Sequence, residues 1–258
     1  MTKKVTVINR KGGACKTTTA VNIAAALGLK GYKVLAIDLD PQADLTAYLL
    51  PNELSEFKTL TDGFDKQDLS ICTYPSTAEN VDVIPADEKL DRIDNQLRQD
   101  ELGILQLSDL FGKLDSSKYD YVILDSAPER TRLSSGALVL SDTLIMPIES
   151  YASYKKIATM FKEFKRIKET VNPKLHFGHI LITVAEPQTN FFKELETIKE
   201  HEAIKGMVLD TVIPKNITFK ECMPANKSIF SHNPHSSGAE AYMKVTEELI
   251  KKWEGSND

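Results

Sequence analysis

Residues 5–8, Val-Thr-Val-Ile, read as a buried strand, and a short loop carries the chain from it into a helix expected over residues 17–30. The loop is Arg10-Lys11-Gly12-Gly13-Ala14-Cys15-Lys16-Thr17-Thr18. This juncture constrains the fold more than any other feature. A buried strand that feeds straight into a helix through glycines begins a βαβ unit, and such units build parallel sheets covered on both faces.

The rest of the chain repeats that rhythm. Buried strands are expected at 34–39, 81–84, 121–124, 143–146, 177–184 and 207–213, the fourth of these stopped by Pro147. Helices are expected between them. One carries Leu90, Ile93, Leu97 and Leu102, one spans 153–170, one lies near 189–202 and a last one runs over 238–253. Gly31 is placed to stop the first helix. No linker, repeat or low-complexity segment interrupts the 258 residues, so the expectation is one domain over 1–258. Its expected fold is α/β, a doubly wound, mostly parallel sheet flanked by helices. Cys15, Cys72 and Cys222 are isolated, which points to a reducing compartment without a disulfide framework. Met-Thr-Lys-Lys runs directly into the first strand and no apolar stretch reaches membrane-spanning length, so a cytoplasmic location is expected.

The glycine loop has chemistry of its own. Backbone N–H groups in such a loop converge on an anion, and the helix N-terminus adds partial positive charge. Lys16 is placed to reach the β and γ phosphates of a nucleotide, and the Thr17 hydroxyl to ligate Mg²⁺. ATP and Mg²⁺ are therefore the expected ligands, with Gly12, Gly13, Ala14, Cys15 and Thr18 completing the cradle. The common phosphate-loop pattern has glycine where this chain has Arg10 and Cys15. A Cβ at position 15 must tolerate close phosphate approach and a positive φ. The thiol can be read as a small residue in a glycine slot or as a reactive group at a helix N-terminus; the first reading is preferred.

Two carboxylate groups follow strands. Asp38 ends the second strand and Asp40 lies one step beyond, in Ile37-Asp38-Leu39-Asp40-Pro41-Gln42. A carboxylate there can orient the water that attacks a γ phosphate. Asp125 ends the apolar run Tyr121-Val122-Ile123-Leu124, where it can hold a water bound to Mg²⁺. The segment after it, 126–130, is expected to sense the nucleotide.

Taken together these segments resemble the deviant Walker A family of P-loop NTPases (ParA/MinD), whose loop reads Lys-Gly-Gly-x-Gly-Lys-Thr-Thr. Cys15 stands in place of its last glycine. Asp38-Leu39-Asp40-Pro41-Gln42 is similar to the Asp-x-Asp-Pro-Gln of partition ATPases of the ParA/Soj type. Thr211-Val212-Ile213-Pro214-Lys215-Asn216 is similar to their Thr-x-Ile-Pro-Arg-Asn. The resemblance covers nearly the whole chain, and no helix-turn-helix region is expected before the motif region.

The resemblance implies a catalytic set of Lys11, Lys16 and Asp40. Asp40 positions water, and Lys11, the signature lysine, reaches the phosphates of a second subunit. It implies Thr17, Asp38 and Asp125 about the metal, and Pro214 and Asn216 beside the base. It further implies an ATP-dependent homodimer, non-specific double-stranded DNA and a ParB-like centromere-binding protein as partners, slow hydrolysis stimulated by that protein, and association with the nucleoid.

DNA contact needs clustered cations. Lys155, Lys156, Lys162, Lys165, Arg166 and Lys168 are accompanied by one acid, Glu163, and Lys215, Lys220 and Lys227 form a second group. Residues 1–150 sum to about −7 and 151–258 to about +2. Thr218 stands where relatives often have an arginine. Two alternatives remain open: a MinD-like ATPase cycling on a membrane, and a catalytically weak nucleotide-dependent adaptor. The first would need a membrane anchor, and Tyr242, Val245, Leu249 and Trp253 recur at helical spacing, although the tail after Trp253 is acidic. His176/His179 and His232/His235 have metal-like spacing but are expected to be ordinary histidines.

Overall fold

Strands that are apolar at every position need cover on both faces, and the computed structural model shows how this chain supplies it. The structure describes residues 2–51, 57–186, 188–193, 198–202 and 204–255. Seven strands form one sheet: β1 Lys3–Val7, β2 Val34–Leu39, β3 Tyr74–Pro75, β4 Val81–Ile84, β5 Tyr121–Ser126, β6 Thr143–Ile148 and β7 His179–Ile182. Their order is β3-β4-β2-β5-β1-β6-β7. Only the two-residue edge strand β3 is antiparallel.

Alternation along the strands divides the core. Val34 and Ala36 of β2, with Tyr121 and Ile123 of β5, pack with helix α1 (Lys16–Leu29) and the last helix, Ser237–Glu254. Leu35, Ile37 and Leu39, with Val122 and Leu124, face the other side. There they meet α3 (Leu60–Lys66), α4 (Leu90–Gln99), α5 (Gln106–Gly112) and α6 (Arg132–Leu140). The long helix α7 (Tyr151–Thr170) lays Ile157, Met160, Phe164 and Ile167 on β6 and β7. Helix α2 (Asp44–Leu49) follows β2.

The same alternation places Asp38 with Ala36, and Asp125 with Ile123, on the α1 face of the sheet. In register, Asp125 sits beside Val7 of β1 and Asp38 of β2. The start of the phosphate loop and both carboxylates therefore meet at one sheet edge, where ligands bind in open α/β sheets.

Several expected boundaries shift. Pro147 does not stop β6, which continues to Ile148 and pairs Pro147 with Leu181. A strand residue directs its N–H and C=O to the same side, and here that side faces the point where β1 has ended. The Pro147 carbonyl accepts there from Asn9 Nδ2 at 2.8 Å, so no ladder bond is lost to the missing N–H.

The helix through Leu90, Ile93 and Leu97 ends at Gln99, and Leu102 is 65% exposed. Gly103 turns the chain back so closely that a Cβ there would lie 2.0 Å from the Leu97 carbonyl oxygen. Residues 207–213 form no strand; Val208 makes an isolated bridge to Ile180 of β7. The amides of Asp210 and Thr211 are taken by the Glu248 carboxylate of the last helix, at 2.9 and 3.1 Å. The helix expected near 189–202 is seen at Asn190–Lys193; residues 194–197 lie outside the described residues, as do 256–258 of the expected acidic tail.

Candidate functional site

The loop between β1 and α1 is held from below. Asn9 is fully buried; its amide nitrogen reaches Pro147 and its Oδ1 accepts the Lys11 amide at 3.0 Å. Gly12 and Gly13 meet nothing within 4 Å where a Cβ would stand, and Gly13 has φ +76°. The expected positive φ at Cys15 is present: the residue is left-handed, φ 58°, ψ 28°, and caps α1 without a side-chain bond. Its Sγ lies 3.8 Å from the Gly13 carbonyl. Burial raises the thiol pKa, against the neighbouring cations, so the thiol is not activated by its place at the helix end.

Above the loop opens a cavity of about 610 Å³. Its floor is residues 12–18, one wall is the segment Asp40–Gln42 with Asp44, and the opposite wall is Ala127–Glu129 with Thr131. Lys16 is 7% exposed, and its pKa is lowered by burial, with Asp125 and Asp40 pulling the other way. Asp125 is fully buried and neither carboxylate oxygen receives a well-formed hydrogen bond. Burial first, and then the Asp38 charge, push its pKa well up, against the favourable Thr17 hydroxyl and Lys16 ammonium. An unpartnered buried carboxylate beside a threonine hydroxyl is a donor set suited to a hard cation.

Asp38 is used differently. Oδ2 accepts from the Thr46 amide at 2.9 Å and the Thr46 hydroxyl at 2.7 Å, and Oδ1 from the Asp40 amide at 3.1 Å. Burial still pushes its pKa up to about 7. With both oxygens engaged, Asp38 braces the Asp40 turn and α2 from behind Asp125. Asp40 itself lines the cavity and accepts the Gln42 amide on Oδ1 at 3.0 Å.

Lys11 does not line the cavity. Its ammonium is paired with Glu149 Oε1, at the end of β6. Burial raises the Glu149 pKa, but hydrogen bonds from Lys11, Ser153 and Ser150 outweigh it and hold the carboxyl below its ordinary value. Pro214 and Asn216 also lie off the cavity. Pro214 bridges to Ala185, and Asn216 Nδ2 reaches the Ser237 hydroxyl at 3.1 Å.

Of the expected DNA residues, Lys155, Lys156, Lys162, Lys165 and Arg166 are exposed along α7, and Lys215 and Lys220 are exposed beyond β7. Lys215 pairs with Glu186 at 3.1 Å. The apolar stripe Tyr242, Val245, Leu249 and Trp253 is buried, none more than 3% exposed, and Tyr242 meets Thr19 of α1. No helix among the described residues is long and apolar enough to cross a membrane. No cluster of three or more metal-binding side chains of His, Cys, Asp or Glu is present among them.

Two residues central to this geometry escaped the sequence reading. Glu149 holds the signature-position lysine. Glu163, the lone acid of basic α7, accepts Arg10 on both oxygens at 3.1 and 3.0 Å, Arg130 at 3.3 Å and the Ser135 hydroxyl at 3.3 Å. Arg10, at a position that is glycine in the common loop, thus ties the loop to α7, and also reaches the Glu129 carbonyl at 2.7 Å. A single acid among six cations was the signal available for Glu163.

Comparison with known proteins agrees with this geometry. A family model for an AAA domain matches residues 2–177. The sporulation initiation inhibitor protein Soj of Bacillus subtilis (strain 168) is 30% identical over 265 residues, covering 96% of this chain and 98% of that protein. Cobyrinic acid a,c-diamide synthase from Mycobacterium smegmatis, solved with bound ATP analogue and magnesium, superposes with TM-score 0.82 at 25% identity, covering 99% of this chain and 97% of that one. A plasmid partition protein from Borrelia burgdorferi shares the fold, with TM-score 0.75 at 22% identity and 99% of each chain covered.

Proposed function

The chain belongs to the ParA/Soj-type P-loop ATPases, and from that premise we propose that it is a DNA partition ATPase whose ATP-bound dimer holds non-specific DNA and whose hydrolysis releases it. The observation that carries the reading is the juxtaposition at the sheet edge. Lys16, Thr17 and the unpartnered Asp125 converge beneath a cavity walled by Asp40.

In this reading residues 1–258 act as one ATPase domain. Residues 12–18 cradle the phosphates through backbone N–H groups, and Lys16 neutralises charge that builds on the β and γ phosphates. Thr17 and Asp125 hold magnesium, directly or through its waters, with Asp38 keeping the Asp40 turn in place. When bound, the ion neutralises developing phosphate charge and fixes the phosphate geometry. Asp40 orients the attacking water. Lys11 leaves Glu149 and reaches the phosphates bound to a second copy, so ATP occupancy and dimerisation are linked. Pro214 and Asn216 stand beside the base. Hydrolysis is slow until a ParB-like centromere-binding protein stimulates it.

The exposed lysines of α7 and Lys220 contact DNA phosphates, which places the protein on the nucleoid in the cytoplasm. Burial of the last helix's apolar stripe in the core argues against the membrane-cycling alternative. The adaptor alternative requires an absence of turnover, so ATP hydrolysis that Asp40→Ala abolishes would exclude it.

The decisive experiment is binding to random duplex DNA with ATP or ADP over a salt series, for the wild type, Lys11→Ala and Lys16→Ala. The wild type is expected to bind with ATP only, with affinity falling steeply with salt, and both variants are expected to lose binding. Binding that ignores the nucleotide would overturn the reading.

A further inference from the structure

Behind the 127–131 segment, on the side away from the phosphate loop, lie two adjoining cavities of about 620 and 680 Å³ that share Arg130, Glu163 and Arg166. Ile104, Ile167 and Val171 give the first an apolar floor. Arg98, Arg130, Arg132 and Arg166 surround it, and Glu163 is its one acid.

The arginines are not equivalent. Arg98 is paired with Asp94 at 2.8 Å, and its other nitrogen reaches the Arg130 carbonyl at 3.1 Å. Arg130 pairs with Glu163 at 3.3 Å, but Glu163 is already held by both bonds from Arg10. Arg132 and Arg166 line the cavity and make no ion pair among the described residues. Two unpaired guanidinium groups, a third that is weakly held, and a floor of aliphatic side chains form a surface with net positive charge and an apolar face. Guanidinium groups take phosphate in bidentate fashion and stack on planar rings. The volume suits a ligand of nucleotide size.

We propose that this pocket between α6 and α7 is a second ligand site, distinct from the phosphate loop, for a phosphate ester with a planar apolar part, of the nucleoside monophosphate class. Arg132 and Arg166 take the phosphate, and Ile104, Ile167 and Val171 cover the ring. The site stands back to back with the nucleotide cavity. Thr131 lines both, Pro128 and Glu129 line the nucleotide cavity and the adjoining one, and Arg98 and Arg10 hold the wall's carbonyls at Arg130 and Glu129. A ligand that draws Arg98 or Arg130 toward itself acts on the wall that both sites share.

The test is calorimetric titration of the full chain whose phosphate loop has first been filled with one equivalent of a non-hydrolysable ATP analogue and magnesium. AMP, inorganic phosphate and adenosine are titrated separately. AMP is expected to bind at one equivalent per chain, phosphate more weakly and adenosine not measurably. The double variant Arg132→Ala/Arg166→Ala is expected to weaken AMP by about tenfold or more, with analogue binding at the loop and the melting temperature unchanged. Thr170→Glu, which places a carboxylate at the exposed rim, is expected to give the same loss and serves if the double variant is misfolded. Absence of AMP binding in the wild type, equal AMP affinity in the variants, or phosphate or adenosine binding as tightly as AMP would each overturn the proposal.

Discussion

Replacing Cys15 with glycine is expected to stabilise the nucleotide-free protein, because the residue occupies a backbone conformation that side chains resist. At φ 58° and ψ 28° it is left-handed, which costs an L-residue roughly 1–2 kcal/mol. Glycine escapes that term but loses about 0.5–1 kcal/mol more backbone entropy on folding. The side chain returns little, since its sulfur lies 3.8 Å from the Gly13 carbonyl and makes no well-formed bond with the neighbouring Thr183 hydroxyl. The expected net gain is therefore on the order of 0.5–1 kcal/mol for Cys15→Gly over Cys15→Ala. Ala43 provides the control. It is also left-handed, φ 55°, at the start of α2, and Ala43→Gly should gain a similar amount. Urea unfolding of wild type, Cys15→Ala, Cys15→Gly and Ala43→Gly, without nucleotide, measures all four. If Cys15→Gly is less stable than Cys15→Ala while Ala43→Gly is more stable than wild type, the thiol site follows some other rule and the strain argument fails.

Other expectations follow from the same geometry. Glu163→Gln leaves Arg10, whose side chain is 11% exposed, without its anionic partner, and should cost about 2–3 kcal/mol in chemical denaturation. Asp38 has a folded-state pKa raised from 3.8 to about 7 by burial, so the folded state binds its proton more tightly than the unfolded state does. Its contribution is then fully present below about pH 4 and is lost as pH rises toward 7, by up to roughly 4 kcal/mol. Denaturation of the nucleotide-free protein across that window should show the fall, and Asp38→Asn should reduce it, leaving the part due to Asp125, whose pKa burial also raises. Asp125→Asn should lower magnesium-dependent hydrolysis by about 10–100-fold, with little change in nucleotide binding measured in chelator.

The parts of the fold legible in the sequence are those in which pattern and burial coincide. β2 and β5 are buried at all six positions, and their apolar runs announced them. The misreadings arise where tertiary contacts decide. Pro147 stays in β6 because its neighbour strand has already ended. Residues 207–213 fail to become a strand because Glu248 takes two of their amides. The site divides in the same way. Gly12 to Thr18, Asp40 and Asp125 are found by local spacing, since each lies immediately beyond a strand or at its end. Glu149 and Glu163 act through partners far away in the chain, and local spacing carries no trace of such partners. Lys11 was identified, but its pairing with Glu149 was not.

Helix α1 has a consequence for where motion can occur. From Thr19 to Gly28 every residue is buried, with the sheet on one side and the last helix on the other. The helix that carries Lys16 cannot tilt or slide without opening the core. The floor of the nucleotide cavity is thus an anvil, and the part-exposed segments at 40–44 and 128–131, held chiefly by side-chain bonds, are the pieces that can move. Backbone amides from Thr19 to Gly28 should exchange with deuterium only through global unfolding, while those of the two turns exchange through local opening. Any signal that passes from nucleotide to partner must leave through the walls of the cavity.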